Sequence, residues 1–284
     1  MEEGKRALLI YPPTGFFQRG EDRSQGEIET STATNQRTPL DIIQIAGILK
    51  QMKIKTKFID YPMEKKTWQD YEKDIKKFEP DYIIISTTNT TILKDLKAAE
   101  IAKRINKKIV TIIKGAIFFH LPLKVLKKKE FDKLDIALRI EADTIIKDVL
   151  ENLNNLKKIK SIYYRKKDKW YSTEIGEFFQ DLDSLPFPDR GVIKKGFYLR
   201  PDTGEPMTTI QVSRGCPFNC NYCLTPQISG RNVRYRSAEN IVKEIEECVK
   251  KYKIKNFFLR ADTFTASNEE VIKICKLIIQ KKLK

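Results

Sequence analysis

Three cysteines, Cys216, Cys220 and Cys223, stand in the stretch SRGCPFNCNYCL with the spacing C-x3-C-x2-C. Thiolates are the soft ligands that bind iron in a cubane cluster, one to each iron. Three of them on one loop serve three irons and leave the fourth open to a non-protein ligand. An iron left open can bind and activate a small molecule, which a cluster closed by four cysteines cannot do. A structural zinc site fits less well, because it closes tetrahedrally on four ligands, usually from C-x2-C pairs. The other two cysteines, Cys248 and Cys275, fall in helical patterns with apolar neighbours, where a free cysteine is expected to act as a small core residue. His120 is the single histidine of the chain, so any metal site with two or more histidine ligands is excluded.

The elements that must position this loop can be read along the chain. Ala7–Tyr11 is a short apolar run ended by Pro12 and Pro13, followed by a polar stretch over 14–38 with Gly15, Gly20 and Gly26. A helical pattern then opens at Pro39, with Thr38 placed as its N-cap and Pro39 at its first position. Strand patterns recur at Lys57–Tyr61, Tyr82–Thr87, Ile109–Ile113 and Leu134–Ile140, separated by helical patterns at Trp68–Phe78 and Thr91–Ile105 and followed by one at Thr144–Leu153. Strands alternating with helices require crossovers and a parallel sheet, and the unbroken apolar YIIIST run suits a sheet covered on both faces. The expected fold is α/β, a doubly wound Rossmann-like domain over 1–156. Ligands of such sheets bind beyond the carboxyl ends of the strands, here Pro12–Gly15, Tyr61–Pro62, Thr87–Thr90 and Gly115–Ile117. The long loop after the first strand is the expected ligand cover. It carries no GxGxxG, so a nicotinamide fingerprint is absent.

A hairpin at Ser161–Arg165 and Lys169–Thr173 and a proline-punctuated linker, FFQDLDSLPFPDR, are expected to fill 157–206. A second unit over 207–284 begins with a strand at Met207–Val212 and the cysteine loop. It continues with a helix at Ala238–Tyr252 capped by Ser237, a strand at Asn256–Leu259 and a helix at Glu269–Ile279. The length of 284 residues accommodates two domains, and 40% hydrophobic residues permit real cores. The net charge of +16 is spread along the whole chain, mostly as lysine with glutamate nearby, and reads as solvated helix faces rather than a nucleic-acid surface. No apolar run is long enough to cross a bilayer, and the N-terminus lacks a signal-peptide cleavage site, so the expected compartment is the cytoplasm.

The cysteine spacing, with the aromatic Tyr222 just before the last cysteine and a strand just before the loop, resembles the radical S-adenosylmethionine superfamily. DLDSLPFPDR and SGRNVRYRSAENIVKEIEE resemble its subgroup with an N-terminal cobalamin-binding domain. The resemblance implies a [4Fe-4S] cluster on Cys216, Cys220 and Cys223, with S-adenosylmethionine chelated to the open iron and cleaved by one electron to a 5′-deoxyadenosyl radical. It implies that the main chain at Tyr222 contacts adenine, and that 207–284 is the first part of a partial TIM barrel. The implied reaction is cobalamin-associated methyl transfer, or radical oxidation or rearrangement, on a small metabolite or lipid. An electron donor such as a flavodoxin or ferredoxin is the implied partner. Asp262, at the end of the second barrel strand, is either a cosubstrate contact or a loop residue approaching the next helix. Arg234 and Arg236 are read as surface charges in preference to an anion site.

The sequence departs from the family pattern in three places. No histidine follows the first strand, so cobalamin would bind without a histidine lower ligand, and His120 reads as a loop or helix-start residue. The loop after the fifth strand, glycine-rich in related chains, is Ile140-Glu141-Ala142-Asp143. Only two strand–helix units follow Met207, where the family barrel has six or more. The expectation is therefore a chain short of its barrel, with the rest supplied by a separate chain; the alternative to the enzyme is a non-catalytic cluster- or cobalamin-binding module. A methylthiotransferase-like enzyme acting on tRNA ranks low, since that family carries a second cysteine trio where this N-terminal half has no cysteine.

Overall fold

The computed structural model describes residues 4–17 and 37–283, so most of the expected ligand cover lies outside the described residues. The first half runs β1 (Arg6–Tyr11), α1 (Leu40–Gln51), β2 (Lys55–Asp60), α2 (Trp68–Phe78), β3 (Tyr82–Ser86), α3 (Ile92–Asp95), α4 (Lys97–Ile105), β4 (Val110–Lys114), α5 (Leu123–Leu126), β5 (Ile136–Leu138) and α6 (Ala142–Glu151). The hairpin strands β6 (Ile162–Lys166) and β7 (Lys169–Ser172) follow. All seven strands form one sheet in the order β2-β1-β3-β4-β5-β6-β7. The first five pair in parallel, and β6 and β7 add antiparallel. The hairpin expected within the connecting segment thus extends the N-terminal sheet, and the sheet is mixed rather than wholly parallel. Its turn works because Lys167 and Asp168 both adopt positive φ, of 47° and 62°, as a type I′ hairpin turn requires.

Strand alternation sends side chains to two separate cores. Leu8, Ile10, Ile83 and Ile85 face α2 and α4, meeting Tyr71, Ile75, Ala99 and Ile101. Ala7, Leu9, Ile84 and Ile112 face α1 and α6, meeting Ile42, Ile45, Leu49, Ile146 and Val149. The strand order reverses between β1 and β3, which makes the loops after these strands the topological switch point. There Asp95, fully buried, accepts hydrogen bonds from Thr14 Oγ1 at 2.5 Å, Thr87 Oγ1 at 2.6 Å and Thr91 Oγ1 at 2.6 Å. The helix expected to run unbroken from Thr91 to Ile105 divides at Leu96, just after this carboxylate.

The second half comprises β8 (Met207–Gln211), β9 (Ser213–Arg214), α7 (Thr225–Ile228), β10 (Arg234–Tyr235), α8 (Ala238–Glu247), β11 (Asn256–Arg260) and α9 (Asn268–Gln280). β8 and β11 pair in parallel, with α8 and α9 packed on them through Ile210, Val212, Ile241, Ile245 and Ile274. This is the strand–helix–strand–helix start of a TIM-type barrel. Ser237 caps α8, its side chain accepting from the Asn240 amide. The expected helix to Tyr252 instead passes into a π-helical turn at Cys248–Tyr252 and stops at Lys253, whose φ is 59°.

The two halves are fastened together. Thr38, expected to cap α1, instead donates its hydroxyl to the Met207 carbonyl at 3.1 Å, and Pro39 takes the cap position with no side-chain hydrogen bond. The linker lies against α1, where the Asp189 amide donates to the Ile43 carbonyl at 2.8 Å. A Cβ on Gly47 would sit 2.4 Å from the Phe187 carbonyl oxygen, so only glycine permits this approach. Beyond it, Arg190 enters the barrel unit and donates to Thr208 Oγ1 at 2.9 Å, the Thr209 carbonyl at 2.8 Å and Glu244 at 2.6 Å. Arg236 binds the other Glu244 oxygen at 2.5 Å.

Candidate functional site

The cysteine loop spans 215–233 and is stapled at its base. β9 and β10, the segments on either side of it, pair antiparallel. Gly215 opens it with φ of 97°, where a Cβ would lie 2.3 Å from the Asn232 carbonyl oxygen. The Gly215 amide donates to Asp262 Oδ2 at 2.9 Å, and the Cys216 amide to the Gly230 carbonyl at 3.0 Å. Across the tip, the Cys223 amide donates to the Cys220 carbonyl at 3.1 Å. Cys216 Sγ lies 3.3 Å from Thr263 Oγ1, and Cys223 Sγ lies 3.2 Å from Thr225 Oγ1. Cys220 is exposed and Cys216 and Cys223 are half-buried. Tyr222 is 86% exposed beside them.

Among the described residues, no group of three or more His, Cys, Asp and Glu side chains is gathered as ligands of a metal ion. A cubane cluster binds each thiolate to a different iron, so its ligands stand further apart than those sharing one ion. The donor set fits that group by its chemistry: three soft thiols on one accessible loop. Cys248, by contrast, is fully buried, and burial pushes its thiol up to about 12. It is the small core residue expected, whereas Cys275 is exposed on α9 and is not.

Asp262 holds the entry of the cysteine loop through the Gly215 amide, and it also lines the cleft between the two halves. That cleft is charged, with Asp41, Lys114, Glu141, Asp143, Arg214 and Asp262 on its walls. Lys114 pairs with Asp41 across it. Arg214, beside the loop's first glycine, binds both oxygens of Asp143, with Nη1 to Oδ1 at 3.1 Å and Nη2 to Oδ2. Arg234 forms a bidentate pair with Glu141 at 2.9 and 2.8 Å, and donates to the Phe179 and Ser229 carbonyls at 2.7 Å each. Burial pushes the Asp143 carboxyl upward, but the Arg214 charge and hydrogen bond outweigh it, and the net shift is downward.

These contacts correct one expectation. Arg234 and Arg236 are not surface charges; both are buried and paired, to Glu141 and Glu244. In the loop after β5, where glycines were expected, Glu141 and Asp143 pair with Arg234 and Arg214 at the base of the cysteine loop. No local signal marks them, since their partners are distant in the chain and only the fold joins them. His120 is exposed at the end of a short 3-10 turn after β4 and does not line the cleft.

A doubly wound domain joined through a linker to a barrel start, with a three-thiol loop at the junction, defines a class, and known proteins share it. Residues 210–283 match the radical SAM superfamily. The chain is 28% identical over 98% of its length to an uncharacterized methyltransferase of Pyrococcus horikoshii, covering 58% of that protein. It is 24% identical over 80% of its length to the anaerobic magnesium-protoporphyrin IX monomethyl ester cyclase of Rubrivivax gelatinosus, covering 41% of it. The chain therefore spans about half the length of these curated relatives. Its fold matches two solved structures over 98% of the chain. One is the radical S-adenosylmethionine methyltransferase TsrM of Kitasatospora setae, with TM-score 0.69, 12% identity and 52% of that chain covered. The other is the cobalamin-dependent S-adenosylmethionine radical enzyme OxsB, with TM-score 0.72, 15% identity and 37% covered. Residues 210–283 thus match the radical SAM superfamily, and the fold of the chain is shared with solved structures of cobalamin-dependent S-adenosylmethionine radical enzymes.

Proposed function

We propose that this chain is part of a radical S-adenosylmethionine enzyme of the methyltransferase-like kind, acting on a small metabolite or lipid. The observation that carries the reading is the three-thiol loop, stapled at its base and held by Arg214 and Arg234 against the carboxyl edge of the N-terminal sheet. Cys216, Cys220 and Cys223 would hold a [4Fe-4S] cluster, whose chemistry is one-electron reduction of the S-adenosylmethionine sulfonium, with the electron supplied by a flavodoxin- or ferredoxin-type donor. Asp262 accepts from the amide of Gly215 at its positive-φ turn and so helps fix where Cys216 stands. Tyr222, exposed beside the thiols, would offer its main chain to adenine.

The edge of the N-terminal sheet suits a flat cofactor. Thr14, Thr87 and Thr91 tie the loops after β1 and β3 to Asp95, and short side chains surround them. Cobalamin there would supply a methyl carrier, bound without a histidine lower ligand, since the loop after β1 holds no histidine and His120 does not line the cleft. Residues 207–283 supply two parallel strands of the barrel type, β8 and β11.

The test is anaerobic reconstitution with iron and sulfide, followed by metal analysis, absorption spectroscopy and assay for 5′-deoxyadenosine and S-adenosylhomocysteine. The expected result is about four irons per chain, lost when Cys216, Cys220 and Cys223 are changed together to serine. A chain that takes up no iron, or the same iron without the three thiols, would sink the reading.

A further inference from the structure

A second cavity adjoins the charged cleft, with Phe119 and Ile140 on the wall between them. Its volume is about 410 Å³, within the usual range of small-molecule sites. The walls are in larger part apolar and aromatic, from Phe119, Ile140, Tyr163, Ile175 and Phe178, with His120 and Gln227 as polar lining and one guanidinium, that of Arg139. The interdomain arginines Arg190, Arg214, Arg234 and Arg236 each have a carboxylate partner. Arg139 has none among the described residues. Its Nη1 donates to Ser172 Oγ at 2.7 Å and the Thr173 carbonyl at 2.9 Å, and its guanidinium stacks on the Tyr163 ring at 4.2 Å. Nε is buried without a partner. The Tyr163 hydroxyl is spent on the Leu121 carbonyl. The guanidinium is thus oriented, partly desolvated and uncompensated, and burial draws its pKa downward. An arginine cannot shed its proton in a protein, so the remaining way to neutralise this charge is an anion.

We propose that this cavity is a binding site for a small amphipathic anion, a carboxylate or phosphate carried on a flat apolar body. Arg139 would take the anionic group, and the aromatic walls would cover the body. Its back wall reaches the cysteine loop by a short path. Phe178 packs against Gly230, where a Cβ would meet its ring at 2.9 Å, and the Gly230 carbonyl accepts the Cys216 amide. Gln227 on α7, four residues after Cys223, closes the cavity from that side.

The site is read from the chain alone and stands whether or not the thiols bind iron, so it is tested on the metal-free full chain. The probes are 8-anilinonaphthalene-1-sulfonate and its uncharged relative N-phenyl-1-naphthylamine, followed by fluorescence titration. The expected result is one anionic dye per chain, bound at least about tenfold more tightly than the neutral one, as a charge-assisted hydrogen bond implies. Arg139→Gln should weaken the anionic dye about tenfold, and Arg139→Lys should retain most of its binding. Ile175→Trp should fill the cavity and abolish binding; Ile175 is 48% exposed, so the chain tolerates the larger ring. Equal affinity for both dyes, or wild-type binding by Arg139→Gln and Ile175→Trp, would overturn the proposal. If circular dichroism shows Arg139→Gln unfolded, the dye pair and Ile175→Trp decide the matter. Displacement of the dye by hydroxocobalamin would assign the cavity to that cofactor and also overturn it.

Discussion

At the scale of single residues, the junction between the halves depends on a few buried carboxylates. Glu244 is fully buried between Arg190 and Arg236. Removing one partner from a buried ion pair leaves an uncompensated charge, which costs about 3–5 kcal/mol. Glu244→Gln is therefore expected to lower the stability of the barrel unit by that order, read from the urea midpoint by circular dichroism. Asp143 gives a pH signature. Its folded pKa lies below its unfolded value, so its contribution is complete above the unfolded value of about 3.9 and is lost as the pH falls through the folded pKa. Asp143→Asn is expected to flatten the acid limb of the stability profile below about pH 4 and to lower stability at neutral pH. An unchanged acid limb would remove Asp143 from that role.

Elements are placed here by small residues and backbone contacts more than by propensity. The cysteine loop turns at Gly215 because a side chain there would strike the Asn232 carbonyl. Gly215→Ala forces a shift at the loop entry in a conformation that costs an L residue about 1–2 kcal/mol. The expected outcome is a chain that keeps its N-terminal circular-dichroism signature but loses most of its reconstituted iron. Full iron retention would show that the loop tolerates another entry. Much of this level was legible beforehand: the capped helix at Ser237, the hairpin and the alternation of strands and helices all follow from local patterns. The cap of α1 was not. Thr38 has the right side chain at the right place, but the Met207 carbonyl, far along the chain, takes its hydroxyl.

For the whole molecule, the two halves are coupled through the linker, the Arg190 insertion and the Glu141–Arg234 pair. Because Glu141 and Arg234 come from different halves, breaking that pair should uncouple them as well as destabilise them. Differential scanning calorimetry is expected to give one transition for the wild-type chain. Glu141→Gln is expected to give two, with the barrel unit melting first, since its smaller core buries less apolar surface. A single shifted transition would mean that the linker, the Arg214–Asp143 pair and the Thr38 contact suffice for coupling. No helix among the described residues is long and apolar enough to cross a membrane.

The sequence by itself determined the set of three closely spaced thiols and the local architecture. Thiol spacing is a property of consecutive residues, and hydrophobic periodicity reports which faces are buried, so the three-cysteine loop, the doubly wound sheet and the barrel start are written in short stretches of chain. Only the tertiary structure decided what the charged residues do. Arg234 and Arg236 read as solvated charges because exposure is the usual fate of an isolated arginine. Their burial depends on Glu141, 93 residues from Arg234, and on Glu244 within α8. The same holds for the unpaired Arg139, whose surroundings are drawn from both halves and the hairpin. Ion pairing is set by distance in space, and along a folded chain that distance is fixed by packing rather than by local sequence.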